Sequence, residues 1–142
     1  MVHALHEIHR LLAPGGILID LRPLADNWPV EVKSNRETMK SGRVDDLPAG
    51  LEDDKAANES ISHVSAEGLF VHDQEDFFSF FYYWDSPKEM QEFIDDDWAD
   101  FIRIDEEVWK KIRSMWAVAD ADARVRVRVK MMINRWRKTN VG

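Results

Sequence analysis

The order of the first two dozen residues constrains this chain most: Ala4-Leu-His-Glu-Ile-His-Arg-Leu-Leu-Ala-Pro-Gly-Gly-Ile-Leu-Ile-Asp-Leu-Arg-Pro23. Leu5, Ile8, Leu11 and Leu12 recur at helical spacing and make one apolar face. Pro14 cannot continue a helix, and Gly15 and Gly16 accept the positive φ that ends one. Ile17-Leu18-Ile19 is a continuous apolar run, the kind found in strands covered on both faces. A helix, a tight turn and a buried strand therefore follow one another directly, the helix–strand unit of an α/β or α+β domain.

Downstream, Arg22-Pro23 is expected to end the strand, and Asp26-Asn27-Trp28-Pro29 reads as a turn. Val30 to Lys33 alternates as a short strand, with Val44 in a brief partner to it. Asp53 and Asp54 suit a helix start, Ala57, Ile61 and Val64 its buried stripe, and Gly68 its end. Leu69 to Trp84 reads as a long strand with aromatic groups on both faces, more core than pocket. Ser86-Pro87-Lys88-Glu89 is a capping box with proline in the first turn. Met90, Phe93, Ile94 and Trp98 follow as a buried stripe. A further helix begins near Asp105 and buries Val108, Trp109, Ile112, Met115 and Trp116. Arg124 to Lys130 alternates strictly, a strand with one apolar and one basic face.

The fold class expected is α+β: a helix–strand unit followed by helices and two long antiparallel strands, in a single domain over residues 1–142. The chain has no cysteine, which removes disulfides and thiolate chemistry. No membrane span and no signal peptide are expected, so the localisation predicted is cytoplasmic. A net charge of −8 argues against nucleic-acid binding, although charge is uneven. Eight acids lie between Glu92 and Glu107, and seven bases without an acid lie between Arg124 and Lys138. The acidic helices are expected to cover the basic strand face, within the chain or across a dimer.

The segment from Glu7 to Gly16 reads E-I-x-R-x-L-x-P-G-G. It resembles the late part of class I S-adenosylmethionine (SAM)-dependent methyltransferases, where such a helix leads into the fifth strand. The resemblance implies that residues 69–84 and 123–137 are the sixth and seventh strands, the seventh inserted beside the fifth, with the helices of 86–118 between them. It also implies SAM as cofactor. In the family, the cofactor's Gly-rich loop precedes this motif, and these residues contain no G-x-G. The expectation is thus a truncated, methyltransferase-like protein, inactive and without cofactor by itself. Alternatives are a non-catalytic dimerisation or partner-binding domain, and an α+β domain with an aromatic small-ligand pocket. The strand Ile17 to Leu21 would keep one unpaired edge, predicting a homo-oligomer or a partner chain paired with it.

No catalytic residue is assignable, because no Ser/His/Asp grouping carries a recognisable local signature. Asp20 and Arg22 flank Leu21 on one side of the strand and, with Trp28, lie where the resembling family lines its substrate pocket. Tyr82, Tyr83 and Trp84 carry polar handles at the end of the aromatic strand and are further ligand-facing candidates. Asp20 and Arg22 also read as a local ion pair ordering the Pro23 loop. His3, His6 and His9 are spaced by three, and each such step turns a helical side chain by about 60 degrees, so they diverge. No metal site is expected there, and the face reads as solvated.

Overall fold

The computed structural model describes residues 1–140 as an α+β protein whose chain falls into two compact units. One unit comprises residues 1–24, 52–78 and 131–140, the other residues 25–51 and 79–130. The two long strands β5 (Phe70–Trp84) and β7 (Arg124–Lys138) contribute one half to each.

In the first unit, α1 (Val2–Leu11) ends at the predicted turn, with Gly15 at φ 72°. Chain reversal leads into β1 (Ile17–Pro23), which pairs antiparallel with β7 from Ile17↔Arg137 to Pro23↔Met131. Arg22 and Pro23 thus extend the strand rather than end it: proline needs no ladder donor where its N–H would face away from the partner. The core of this unit is Leu5, Ile61, Val64 and Phe70, flanked by Leu18 and Trp136. Helix α2 (Pro48–Ala66) supplies Ile61 and Val64 and is followed by Gly68 at φ 80°. It starts at Pro48, five residues before the predicted start, because proline is pre-shaped for a first helical turn.

The apolar run of β1 is covered on one face only. Leu18, Asp20 and Arg22 are partly buried, whereas Ile17, Ile19 and Leu21 are 44%, 51% and 53% exposed. The other edge of β1 has no partner strand among the described residues. His72 meets Asn134, and Asp73 meets Arg135, so β5 runs beside the same stretch of β7 that β1 pairs with. A strand has two edges, so β7 has β1 on one and β5 on the other.

In the second unit, β2 (Pro29–Lys33) pairs antiparallel with both β3 (Thr38–Arg43) and the first residues of β7. Val44 lies just outside β3; the partner strand is the polar run before it. Val30 and Val32 stand opposite Val127 and Val125, and all four are fully buried. Helix α4 (Glu106–Val118) packs on β2 and β3 and buries Trp109 and Ile112. Val108, Met115 and Trp116 stay half-buried. Two-residue strands β4 (Asp45–Asp46) and β6 (Ile102–Arg103) pair with each other. Helix α3 (Pro87–Phe93) is capped by Ser86, whose Oγ accepts from the Glu89 N–H at 3.2 Å. The Glu89 carboxylate accepts in turn from the Asp85 N–H. A π-helical turn, Ile94–Trp98, follows. Met90 and Ile94 are buried, while Phe93 and Trp98 are only half-buried.

Among the described residues no helix is long and apolar enough to cross a membrane, and no group of three or more acids and histidines is placed to hold a metal. His9 is not part of a solvated face: it is buried edge-on to the Phe70 ring at 5.4 Å.

Candidate functional site

The predicted ligand-facing residues fall into three separate places. Asp20 and Arg22 belong to the first unit. The Arg22 Nε donates to Asp20 Oδ1 at 2.9 Å, and its Nη2 donates to Asn58 Oδ1 of α2 at 2.8 Å. Arg22 Nη1 is buried without a hydrogen-bond partner. These groups edge a cavity of about 110 Å³ whose other walls include Leu5, Leu18 and Ile61. Ligand pockets for larger organic molecules run to roughly 300–1,000 Å³, so this one admits only something very small. The Arg22–Asn58 bond ties β1 to α2, while the ion pair with Asp20 lies within β1.

A more open groove of about 560 Å³ lies beside the Pro14-Gly15 turn, with Val71, Asp73, Arg137 and Lys138 among its walls. Its charged groups are already engaged. Asp73 accepts from Arg135 Nε at 2.8 Å and Arg137 Nη2 at 2.9 Å, and Lys138 Nζ donates to the Leu12 carbonyl. The hydrogen bond from Arg137 is the largest influence holding the Asp73 carboxyl below its ordinary pKa. Neither cavity combines a glycine loop with a carboxylate that lacks an arginine partner, the pairing that a nucleoside cofactor's phosphate or ribose groups require in dinucleotide-type sites.

Trp28, Tyr82 and Trp84 converge in the second unit, gathered by two residues the sequence reading had assigned to a helix core. Trp98 stands edge-on to Trp28 at 5.6 Å, Tyr82 at 4.9 Å and Trp84 at 5.9 Å, and Phe93 meets Trp98 at 5.1 Å. These are ordinary aromatic packing distances. Strand β5 is not the covered core strand expected: Phe77, Phe78, Phe80, Tyr82 and Tyr83 are all exposed. The reason is positional, since β5 pairs only with β7 and has a free edge among the described residues.

Tyr83 points to the opposite face and joins a third cluster. Glu31 is fully buried, with Arg126 Nε at 2.7 Å and Arg128 Nη2 at 3.1 Å from its carboxylate. Arg126 Nη1 donates to the Tyr83 hydroxyl at 2.9 Å, and its guanidinium lies 4.3 Å from the Phe81 ring centre. Burial works against the Arg126 charge more than any other single influence, yet the bonds to Tyr83 and Glu31 together raise its pKa. Within the chain, the basic face of β7 pairs with Glu31 on β2, with Asp85 and with Asp26, and is stacked by β5 aromatics; none of these acids belongs to the acidic segment Glu92 to Glu107. Alternation in β2 sets Glu31 on the face opposite Val30 and Val32, and nothing in the local pattern marks that face as buried. The usable signal was a lone acid in an alternating strand set against an Arg-x-Arg-x-Arg strand.

No family model, no curated protein and no solved structure matches this chain.

Proposed function

We propose that this chain is the substrate-side, C-terminal portion of a SAM-dependent methyltransferase-like fold, inactive by itself, that pairs through the free edge of β1. What carries the reading is the strand succession β1–β7–β5, with β1 and β7 antiparallel. The same succession joins the fifth, seventh and sixth strands in the family that the Glu7–Gly16 motif resembles. With no G-x-G in these residues, the loop that holds SAM in the resembling family would come from other polypeptide.

In the isolated protein the edge takes a second copy. An antiparallel pairing centred on Ile19 sets Ile17 opposite the copy's Leu21, and Ile19 opposite itself. Directly opposed residues share a face, so the three exposed apolar side chains meet their counterparts in a self-complementary, two-fold contact. Sedimentation velocity tests this against Ile19→Lys, alongside a calorimetric titration with S-adenosylhomocysteine. The expected results are a concentration-dependent dimer, its loss in the variant, and no saturable heat. A wild-type monomer with freely exchanging β1 amides overturns the pairing, and saturable binding overturns the assignment of the cofactor site to other polypeptide.

A further inference from the structure

We propose that the face of β5 carrying Phe80 and Tyr82 docks an arginine-rich segment of a partner polypeptide. Successive strand residues point to opposite faces. At this end of β5, one face is already capped in a way that shows what the other lacks. On the Phe81–Tyr83 face, the β7 guanidiniums lie over the rings: Arg126 at 4.3 Å from Phe81 and Arg124 at 4.8 Å from Tyr83. On the other face, Phe80 is 48% exposed and stands 5.3 Å from the Tyr82 ring. Tyr82 packs edge-on to Trp98. No cation lies over Phe80, Tyr82 or Trp98 among the described residues.

Charge selects the occupant. Glu92, Asp95, Asp96, Asp97 and Asp100 bracket Phe93 and Trp98 in the chain. All five are exposed, and none makes an ion pair among the described residues. Unpaired acids that flank, in the chain, the two residues whose rings pack on Tyr82, together with exposed rings at Phe80 and Tyr82, match arginine, which stacks on a ring through its plane and binds carboxylates through its fork. Lysine would satisfy the charge but not the stacking. A second copy of this chain is a poor source. All eleven of its arginines are engaged within their own chain, from Arg10 with Glu7 and Arg22 with Asp20 to Arg137 with Asp73. The free edge of β5 also leaves main-chain donors and acceptors for an extended peptide beside the rings.

The test titrates synthetic arginine–glycine, lysine–glycine and glutamate–glycine repeat peptides into the full chain, read by tryptophan fluorescence and calorimetry. The arginine peptide is expected to saturate at micromolar concentration, at least about fivefold tighter than the lysine peptide, with no binding of the glutamate peptide. Two variants address the two halves of the surface: Phe80→Ser, and the triple change Asp95→Asn, Asp96→Asn, Asp97→Asn. Each is expected to weaken the arginine peptide by about tenfold while circular dichroism melts confirm the fold. The proposal is overturned by no saturation below about 1 mM, by equal affinities for arginine and lysine peptides, or by unchanged affinity in both folded variants. Self-association lost in Phe80→Ser, with no peptide binding, would assign the face to a second copy instead. The outcome is independent of the β1 pairing, which Ile19→Lys addresses alone.

Discussion

Replacing Glu31 with glutamine removes one charge from the most enclosed polar side chain among the described residues. The carboxylate is fully buried, Arg126 is 7% exposed, and their closest contact is 2.7 Å. Glutamine keeps one acceptor oxygen, so Arg126 retains a hydrogen bond, but a neutral one. Charge-assisted bonds are worth about 1.5–3 kcal/mol and neutral ones about 1, so this contact loses on the order of 1 kcal/mol. The second oxygen becomes an NH₂ that faces Arg128 donor to donor. Arg128 is 39% exposed on its side chain and can turn toward water, so its share is discounted to about 1 kcal/mol. Arg126, its pKa raised, cannot shed its proton, and an under-compensated buried guanidinium adds a further penalty.

The total expected for Glu31→Gln is about 3 kcal/mol, read in equilibrium urea unfolding at pH 7 as a midpoint shift of roughly 1.5 M for a slope near 2 kcal/mol per M. In a thermal melt it corresponds to about 10 °C at this chain length. The double change Glu31→Leu with Arg126→Met supplies the complementary arm. It removes donor and acceptor together and is expected to recover at least half of what Glu31→Leu alone loses. A midpoint shift under about 0.3 M for Glu31→Gln, with the slope unchanged, would refute the reasoning that this network supports the second unit.

Three further outcomes follow from local geometry. A Cβ on Gly42 would lie 2.8 Å from Val108 Cγ2, so Gly42→Ala is expected to cost about 1–3 kcal/mol in urea melts through overpacking between β3 and α4. Ser86→Ala removes the cap of α3 and is expected to cost about 1 kcal/mol, while Ser86→Asp keeps most of it. Because the native Asp73 pKa lies below its ordinary value of 3.8, its contribution is full above that pH and is lost as pH falls through the native value. Melts of Asp73→Asn against wild type should therefore show a deficit at pH 7 that closes on acidification below about pH 4; a deficit that persists at the acid end refutes the linkage.

What the sequence disclosed tracks how local each cause is. The α1–turn–β1 succession, the Ser86 cap and the alternation of β7 are set by neighbours a few residues apart and are where the pattern puts them, β1 running on by two residues through Arg22-Pro23. Strand β3 was illegible because Thr38-Met-Lys-Ser-Gly-Arg43 has no apolar period. It is recruited by backbone bonds to β2 and by the Ser41 hydroxyl donating to the Val30 carbonyl. The half-exposure of β1 was illegible for the opposite reason. An apolar run states that burial is affordable on both faces, but which face is covered depends on where α1 and α2 lie, and those contacts are separated by dozens of residues.

The aromatic run of β5 shows how parity divides what composition groups. Tyr82, Tyr83 and Trp84 are consecutive, and residues on a strand alternate faces, so they cannot line one wall. Tyr82 and Trp84 share a side with Trp98, whereas Tyr83 faces Arg126. That split was available from the sequence, since the Arg-x-Arg-x-Arg strand offers guanidiniums to one face only. What the sequence does not contain is the count of arginines left over. Each of the eleven is engaged in the folded chain, and among the described residues no cation lies over the rings of the second aromatic face. The imbalance is a property of the fold, and it makes the two faces of one strand chemically different: the rings of one carry guanidiniums from β7, and those of the other carry none among the described residues.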